Sequence, residues 1–435
     1  MVNETEDELT STTPRRRPKP DVLEIGGRKL KPATLMMGHG YDPALSEGAL
    51  KPPIFLTSTF VFENAAAGKR HFEGVTGKRP GGAEGLVYSR FNGPNQEILE
   101  DRLSVWENAE DALTFSSGMS AIATLLLAYV RPGEVIVHSG PLYAATETLI
   151  GRILGRFGVH WLDFPAGAEP GEIERVLTEA KNHGRVALIY LESPANPTNV
   201  LVDIEAVAAA RERLFESDKP PIAIDNTFLG PLWQQPLEHG ADITVYSLTK
   251  YAGGHSDLVA GGVVGAKRFI DPIRAMRNTI GTITDPHSAW MLLRSFETLE
   301  LRMTRAAENA AKVCAFFREH PKVESLGYLG FLKDKRQADI YRRHCSGAGS
   351  TFSLYLKGGE AEAFAFLDAL KIAKLAVSLG GTETLASAPA AMTHLSVPDA
   401  RKQALGITDN LVRISIGVED PDDLIADFDQ ALAKV

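Results

Sequence analysis

"VYSLTKYAGGHSD", Val245–Asp257, closes the apolar run "ADITVYS" with two hydroxyls and a lysine, Ser247, Thr249 and Lys250, and then turns on a glycine pair. Such an exit is either an ordinary solvated strand end or a place where an amine meets a carbonyl. The run belongs to a series: "EVIVH" at 134–138, "VALIYLES" at 186–193, "PIAIDN" at 221–226, "DITVYS" at 242–247 and "AGGVVG" at 260–265. These β-branched stretches lack polar alternation and are separated by helical segments, the pattern of a sheet covered on both faces. They predict a large α/β domain over 93–298, entered by the helix-like "NQEILEDRLSVWENAE", where Ile98, Leu99, Leu103 and Trp106 recur at helical intervals.

From about Pro286 to His320 the sequence predicts one long helix with room for a bend. Beyond it, "GSTFSLYLKG" and "NLVRISIGVED" alternate like strands exposed on one face, with "AEAFAFLDAL" and "PDDLIADFDQALAKV" as helices between and after them. A smaller α+β domain is expected over 299–435. Residues 33–92 read as an N-terminal arm. Residues 1–32 carry "TEDEL", "STTP" and "RRRPKP" and bury too little apolar surface to order themselves, so a disordered tail is expected there. Its basic stretch reads as a solvated charge run.

A chain of 435 residues with a net charge of -9 has no basic excess, which argues against nucleic acid as partner and for a small molecule. Its two cysteines, Cys314 and Cys345, have no second cysteine or histidine at metal-ligand spacing, so no metal is expected and a reducing, cytoplasmic setting fits. The most apolar run, "MSAIATLLLAYV", suits a buried helix rather than a membrane span, and no apolar signal core opens the chain.

In open α/β sheets chemistry gathers outside the carboxyl ends of the strands. Asp225, closing "PIAID", and Lys250 both stand at such ends. Alone, the first is as well a helix cap and the second a solvated terminus. Together they match pyridoxal 5'-phosphate (PLP): a lysine that forms a Schiff base with the aldehyde, and a carboxylate that keeps the ring nitrogen protonated. The phosphate needs backbone amides at a helix start and hydroxyl donors. "FSSGMSAI", with Gly118 allowing close approach, offers the first; Ser247 and Thr249 offer the second. Tyr143, after "EVIVH", is either a ring-stacking phenol or a half-buried core tyrosine.

"YSR" at 88–90, "SSGMSAI" at 116–122, "PLY" at 141–143, "ESPANPT" at 192–198, "DNTF" at 225–228, "SLTKYAGGHSD" at 247–257, "SLGGTETL" at 378–385, "MTH" at 392–394 and "VRISIGVED" at 412–420 together resemble the Cys/Met-metabolism family of PLP enzymes. That family includes cystathionine γ-synthase, cystathionine γ-lyase, methionine γ-lyase and the O-acylhomoserine sulfhydrylases. The resemblance runs from about Thr34 to the C-terminus. It implies a type I, aspartate aminotransferase-like fold, with a large mostly parallel-sheet domain and a smaller α+β domain, and a homotetramer built from two active dimers. It also implies site roles. Tyr88 and Arg90 would reach the neighbouring subunit's cofactor phosphate, joining Gly118, Met119, Ser247 and Thr249. Asn196 would lie near the ring hydroxyl, Arg413 would grip the substrate carboxylate with Ser378 beside it, and Tyr143 would assist proton transfer as well as stack. Lys250 would shuttle protons between Cα and Cβ.

The chain departs from the family pattern at "YSRFNGPN", where Asn92 and Gly93 replace the usual order after the arginine. Where the cystathionine enzymes typically carry a glutamate before "SLGG", this chain has Val377, as do members handling thiols or thioethers without a distal ammonium. Many methionine γ-lyases carry a cysteine just after the stacked tyrosine; here Ala144 and Ala145 follow. The expectation is therefore α,γ-elimination of the methionine γ-lyase kind, giving 2-oxobutyrate, ammonia and a thiol. The alternative is γ-replacement on an O-acylhomoserine, and a remote one is a non-catalytic PLP-binding protein. A nicotinamide enzyme fits poorly, since no strand-to-helix GxGxxG turn is present. His255 and His394 read as packing or hydrogen-bonding residues.

Overall fold

The β-branched runs become the strands of one sheet, in a computed structural model that describes residues 23–79, 85–395 and 397–435. Residues 1–22 of the expected tail lie outside the described residues. The part that follows forms a small antiparallel hairpin of β1 (Glu24–Ile25) and β2 (Arg28–Lys29), turned through Gly26 and Gly27 at φ 58° and 79°.

The large sheet is seven-stranded, in the order β3-β9-β8-β7-β6-β4-β5. Its strands are β3 (Asp111–Phe115), β4 (Val135–Gly140), β5 (His160–Pro165), β6 (Val186–Glu192), β7 (Ile222–Asp225), β8 (Ile243–Ser247) and β9 (Gly261–Gly265). Neighbours from β8 to β5 pair in parallel, and β9 runs antiparallel to both β8 and β3. From β4 the chain moves outward to β5, then returns to place β6 on the other side. The carboxyl ends of β4 and β6 therefore flank the point where strand order reverses, the crevice in which open α/β sheets bind ligands. Every residue of β3, β4, β6, β7 and β9 is buried, as the lack of polar alternation demands.

A second, five-stranded sheet has the order β10-β11-β14-β13-β12, built from β10 (Val323–Gly327), β11 (Thr351–Leu356), β12 (Lys374–Leu375), β13 (Leu385–Ser387) and β14 (Leu411–Ser415). Here the sequence expectation needs correcting. β14 is buried throughout, and β11 at all but Tyr355, rather than exposed on one face. Phe352 packs on Phe317 of the long helix, while Ser353 donates to the Pro197 carbonyl of the large domain. Asn199 adds bonds to the carbonyls of Gly327 (2.8 Å) and Thr351 (2.7 Å). Helices cover one face and the large domain meets the other, so the polar residues in the alternation are satisfied inside.

The expected long helix is two, Pro286–Phe296 and Leu299–Glu319. Thr298 leaves helical geometry at φ -115°, ψ 11°. The break is held by Arg302, whose guanidinium donates to the Ser295 carbonyl (2.9 Å) and to the Tyr251 carbonyl (2.8 Å). The second bond reaches the turn just after Lys250, so the break serves the site. None of the helices among the described residues is long and apolar enough to cross a membrane.

Candidate active site

Lys250 follows β8 in a tight turn in which its own N–H donates to the Ser247 carbonyl at 3.1 Å. The glycine pair behind it is a matter of space. Gly253 donates to the Leu248 carbonyl at 2.7 Å, and a Cβ on it would stand 3.0 Å from that oxygen. Gly254 has φ +70°, and a Cβ there would fall 1.7 Å from an Arg302 guanidinium nitrogen. The pair lets Arg302 clamp the lysine turn from behind.

The amine points into a cavity of about 290 Å³ at the carboxyl ends of the strands. Gly118, Met119, Tyr143, Asn196, Asp225, Ser247, Thr249, Val377, Ser378 and Arg413 line it together with Lys250. Eleven residues picked from the sequence thus converge from seven segments. Tyr88 and Arg90 do not join them. Arg90 donates to the Asn278 carbonyl and lies over the Phe91 ring at 4.6 Å, and Tyr88 bridges to Thr59.

At one end the helix Gly118–Tyr129 begins. Ser117 caps it reciprocally with Ser120, each side chain accepting the other's N–H at 2.9 Å. Gly118 and Met119 occupy the first two positions, whose N–H groups have no acceptor within the helix. A Cβ on Gly118 would meet Ser247 at 3.0 Å, and one on Gly261 would overlap the Ser117 carbonyl at 2.2 Å. Only glycine lets the helix start sit directly on the β8 turn, and that contact brings the amides beside the Ser247 hydroxyl. The donor set suits an anion. Thr249 contributes less than the sequence suggests, because its hydroxyl already donates to the Ala260 carbonyl (3.2 Å) and accepts from the Ala260 N–H (3.1 Å).

Lys250 Nζ donates to Ser378 Oγ at 2.7 Å. Burial, reinforced by the positive charge of Arg413, pulls the amine down to about 8. It therefore has a sizeable free-base fraction near neutrality, which a lysine at its ordinary value of about 10.4 lacks. Ser378 is held at φ 152°, a conformation that L side chains rarely adopt. Its carbonyl accepts from Arg413 at 2.9 Å, so one strained residue ties the amine to the guanidinium. Arg413 also donates to Asn196 Oδ1 at 3.1 Å. It is buried, and among the described residues it has no carboxylate partner and its Nε has no acceptor. Burial brings this guanidinium down to about 10. A buried guanidinium with a vacant donor is a place for an anionic ligand.

Asp225 ends β7 and accepts from the Thr227 N–H at 3.0 Å. Its Cα partner on β6 is Glu192, a lining residue that the sequence reading did not single out. Burial raises the proton affinity of both carboxyl groups, and Asp225 raises that of Glu192 further. Thr227 and Val259 were also missed. The Thr227 hydroxyl accepts from the Ser247 N–H at 2.9 Å, and Val259 forms part of an open apolar rim with Val377. Glu192, like Asp225, ends an otherwise apolar buried strand, and that signal could have found it; nothing in the sequence marks Val259.

His255 and His394 take local roles. His255 Nδ1 faces the Gly253 carbonyl at 2.8 Å, and His394 Nδ1 pairs with Thr393 at 2.9 Å, its pKa brought down to about 4 by burial and by Arg413 and Lys402. Elsewhere Glu205, His239 and His344 bring ligand-type atoms within 4.8 Å of one another. Arg343 already stands among them, on Asp203 (2.8 Å), on Glu205 and 3.1 Å from His344 Nε2, so this interdomain cluster carries a cation of its own.

An amine brought down to about 8, a carboxyl group on a strand end and an anion cradle closed by Gly118 fit an aldehyde, a ring nitrogen and a phosphate on one molecule. The fold and site are those of a type I PLP-dependent enzyme. The family described as Cys/Met metabolism PLP-dependent enzyme matches residues 33–433, and the chain belongs to it. It is 38% identical over 402 residues to the L-methionine gamma-lyase of Pseudomonas putida, covering 92% of this chain and 96% of that protein. It is 34% identical over 402 residues to the cystathionine gamma-lyase of Sus scrofa, covering 92% and 93%. Among solved structures, cystathionine gamma synthase from Xanthomonas oryzae pv. oryzae in complex with cystathionine superposes with a TM-score of 0.84 at 30% identity, over 94% of this chain and 99% of that one.

Proposed function

We propose that the chain catalyses α,γ-elimination on methionine-type amino acids, converting the substrate and water to 2-oxobutyrate, ammonia and a thiol. The observation that carries this reading is the rim. Val377 is 58% and Val259 59% exposed at the mouth, and among the described residues the only acidic ones lining the cavity, Glu192 and Asp225, are buried. A thioether meets apolar surface there, whereas the distal ammonium of a cystathionine-type substrate has no carboxylate to meet. The likeness to several methionine gamma-lyases supports the same choice.

PLP, when bound, supplies an aldehyde that takes up an amine and a ring that accepts the electron pair left when a bond at Cα breaks. Gly118 and Met119 N–H groups and the Ser247 hydroxyl would hold its phosphate, with Thr249 closing the turn beneath. Asp225 would hold the ring nitrogen's proton and Asn196 would lie near the ring hydroxyl. Arg413 would take the substrate carboxylate on its free Nε. Lys250, beside Ser378, would remove the proton at Cα and, once relieved of it, one at Cβ, where the electron pair left behind expels the sulfur from Cγ. Tyr143, half exposed at the mouth, would stack on the ring and protonate the departing sulfur.

Tyr88 and Arg90 are proposed to serve a second copy of the chain within a homotetramer, because they do not line their own cavity. The arm carrying them leaves Leu50, Leu56 and Val61 largely exposed, Val61 at 94%. A cytoplasmic setting is supported by Cys314 and Cys345, both free thiols.

The test is release of 2-oxobutyrate from L-methionine by the PLP-loaded protein, set against O-acetylhomoserine with and without an added thiol. Rapid keto-acid formation from methionine is expected. Reaction of the acylated homoserine alone, with a new thioether forming as keto acid falls, would assign γ-replacement instead. For the shared site, mixing inactive Arg90→Ala with inactive Lys250→Ala should restore activity through hybrid dimers.

A further inference from the structure

Glu192 is a buried carboxyl group with no lysine or arginine partner among the described residues, an expensive arrangement unless its oxygens are used. Both are. Oε2 accepts from the Tyr143 N–H at 2.7 Å and Oε1 from the Asn196 N–H at 3.0 Å. The first donor lies on the loop after β4, the second on the loop after β6, so one side chain spans the crevice where strand order reverses. Its own N–H is fixed by the Ser139 hydroxyl of β4 at 3.0 Å. Asn196 passes the constraint on through Oδ1 to Arg413 in the smaller domain.

We propose that Glu192 is a positioning residue: its carboxyl group sets the backbone of Tyr143 and Asn196 at fixed places in the cavity, and through Asn196 it sets the guanidinium of Arg413. Three groups with separate tasks, from three segments distant in sequence, then share one anchor. Glutamate suits this where glutamine does not, because a carboxylate offers acceptors on both sides. An amide turned either way presents its NH₂ to one of the two backbone N–H groups and loses that bond. Aspartate keeps the charge and both acceptors but stands one methylene short of the loops. The inference rests on reading the cavity as the PLP site.

The experiment compares wild type, Glu192→Gln, Glu192→Asp and Lys250→Ala as purified full chains. It follows the visible circular dichroism of bound PLP, the PLP affinity by fluorescence quenching, and kcat and KM for L-methionine. Both Glu192 variants should still attach PLP at Lys250. Each should change the intensity or sign of the cofactor's dichroic band and lose about 10²-fold in kcat, the size of effect expected from an ångström-scale misplacement. A merely structural brace would lower thermal stability and leave the band unchanged.

Glu192→Gln with the wild-type band and kcat within about twofold would overturn the proposal. So would Glu192→Asp that matches wild type in both, since charge without reach would then suffice. Should Glu192→Gln fail to fold, Glu192→Asp alone decides by that criterion. A wild-type protein with no PLP band abolished in Lys250→Ala would instead remove the site reading itself, which keeps the two failures distinguishable.

Discussion

The large sheet has buried charges in two regions, and they are built differently. In the first, Arg277 donates to Glu100 at 2.6 Å and Arg274 to Asp111 at 2.6 Å, with both arginines and both acids almost wholly covered. Glu100 also accepts the Thr114 N–H of β3 at 3.0 Å. In the second, Lys250 meets a hydroxyl, Arg413 meets an amide and a carbonyl, and Glu192 and Asp225 meet backbone N–H groups. Charges in the first region find their opposites within the chain. Those in the cavity do not, and under the proposed function their opposites would be the phosphate, the protonated ring and the substrate carboxylate.

That contrast predicts where a mutation shows itself. The largest effect should come from Lys250→Ala, with turnover of L-methionine down by about 10⁴-fold while the folded protein persists. On the proposed function, only the free base of Lys250 would capture PLP in the wild type. Its value of about 8 makes the capture rate rise with pH through that region and level off above it. Stopped-flow absorbance of PLP added to cofactor-free protein checks this; a rate still climbing steeply at pH 10 would mean that the amine is not depressed.

Next in size, Arg277→Ala should cost about 3 kcal/mol of stability, because it removes the short partner of a buried carboxylate and leaves Glu100 only Arg274 at 3.8 Å as a cation. Denaturant unfolding of the cofactor-free protein measures it. The reverse pattern is expected of Arg413→Ala: a stability change of about 1 kcal/mol, set against a fall in kcat/KM of roughly 10²-fold from the lost charge-assisted bonds. Arg413→Lys should recover little of it, since an ammonium cannot make the paired contact. If the two arginine variants lost stability equally, the division between supporting and waiting charges would not hold.

The same division explains what the sequence revealed. Lys250, Asp225 and Gly118 were legible because strand ends and helix starts are local features, and a lysine, an acid and a glycine there each have a chemical reason. Val377 and Ser378 came from the family resemblance. Glu192 escaped notice because its task, joining two loops, exists only once β4 and β6 are adjacent. The break at Thr298 escaped because its cause, Arg302 reaching Tyr251, is tertiary. Asn92, left without a role in the sequence, is buried beside Glu100, to which it donates at 3.3 Å, while Arg277 donates to the Phe91 carbonyl at 3.2 Å. The altered turn after Arg90 is thus fastened to the paired region.

The smallest expected effect concerns the rim, where neither kind of buried charge operates. Val377 is more than half exposed, so a carboxylate placed there by Val377→Glu would act through water and salt. Attraction for a distal ammonium at such a site is about 0.2 to 1 kcal/mol, a change of no more than about fivefold. The ratio of kcat/KM for cystathionine over methionine should therefore rise by that factor in low salt and fall back in high salt. A rise of 10²-fold that persisted in salt would mean that the rim closes over the substrate and desolvates it. The cavity mouth would then have to be counted with the buried charges rather than with the surface.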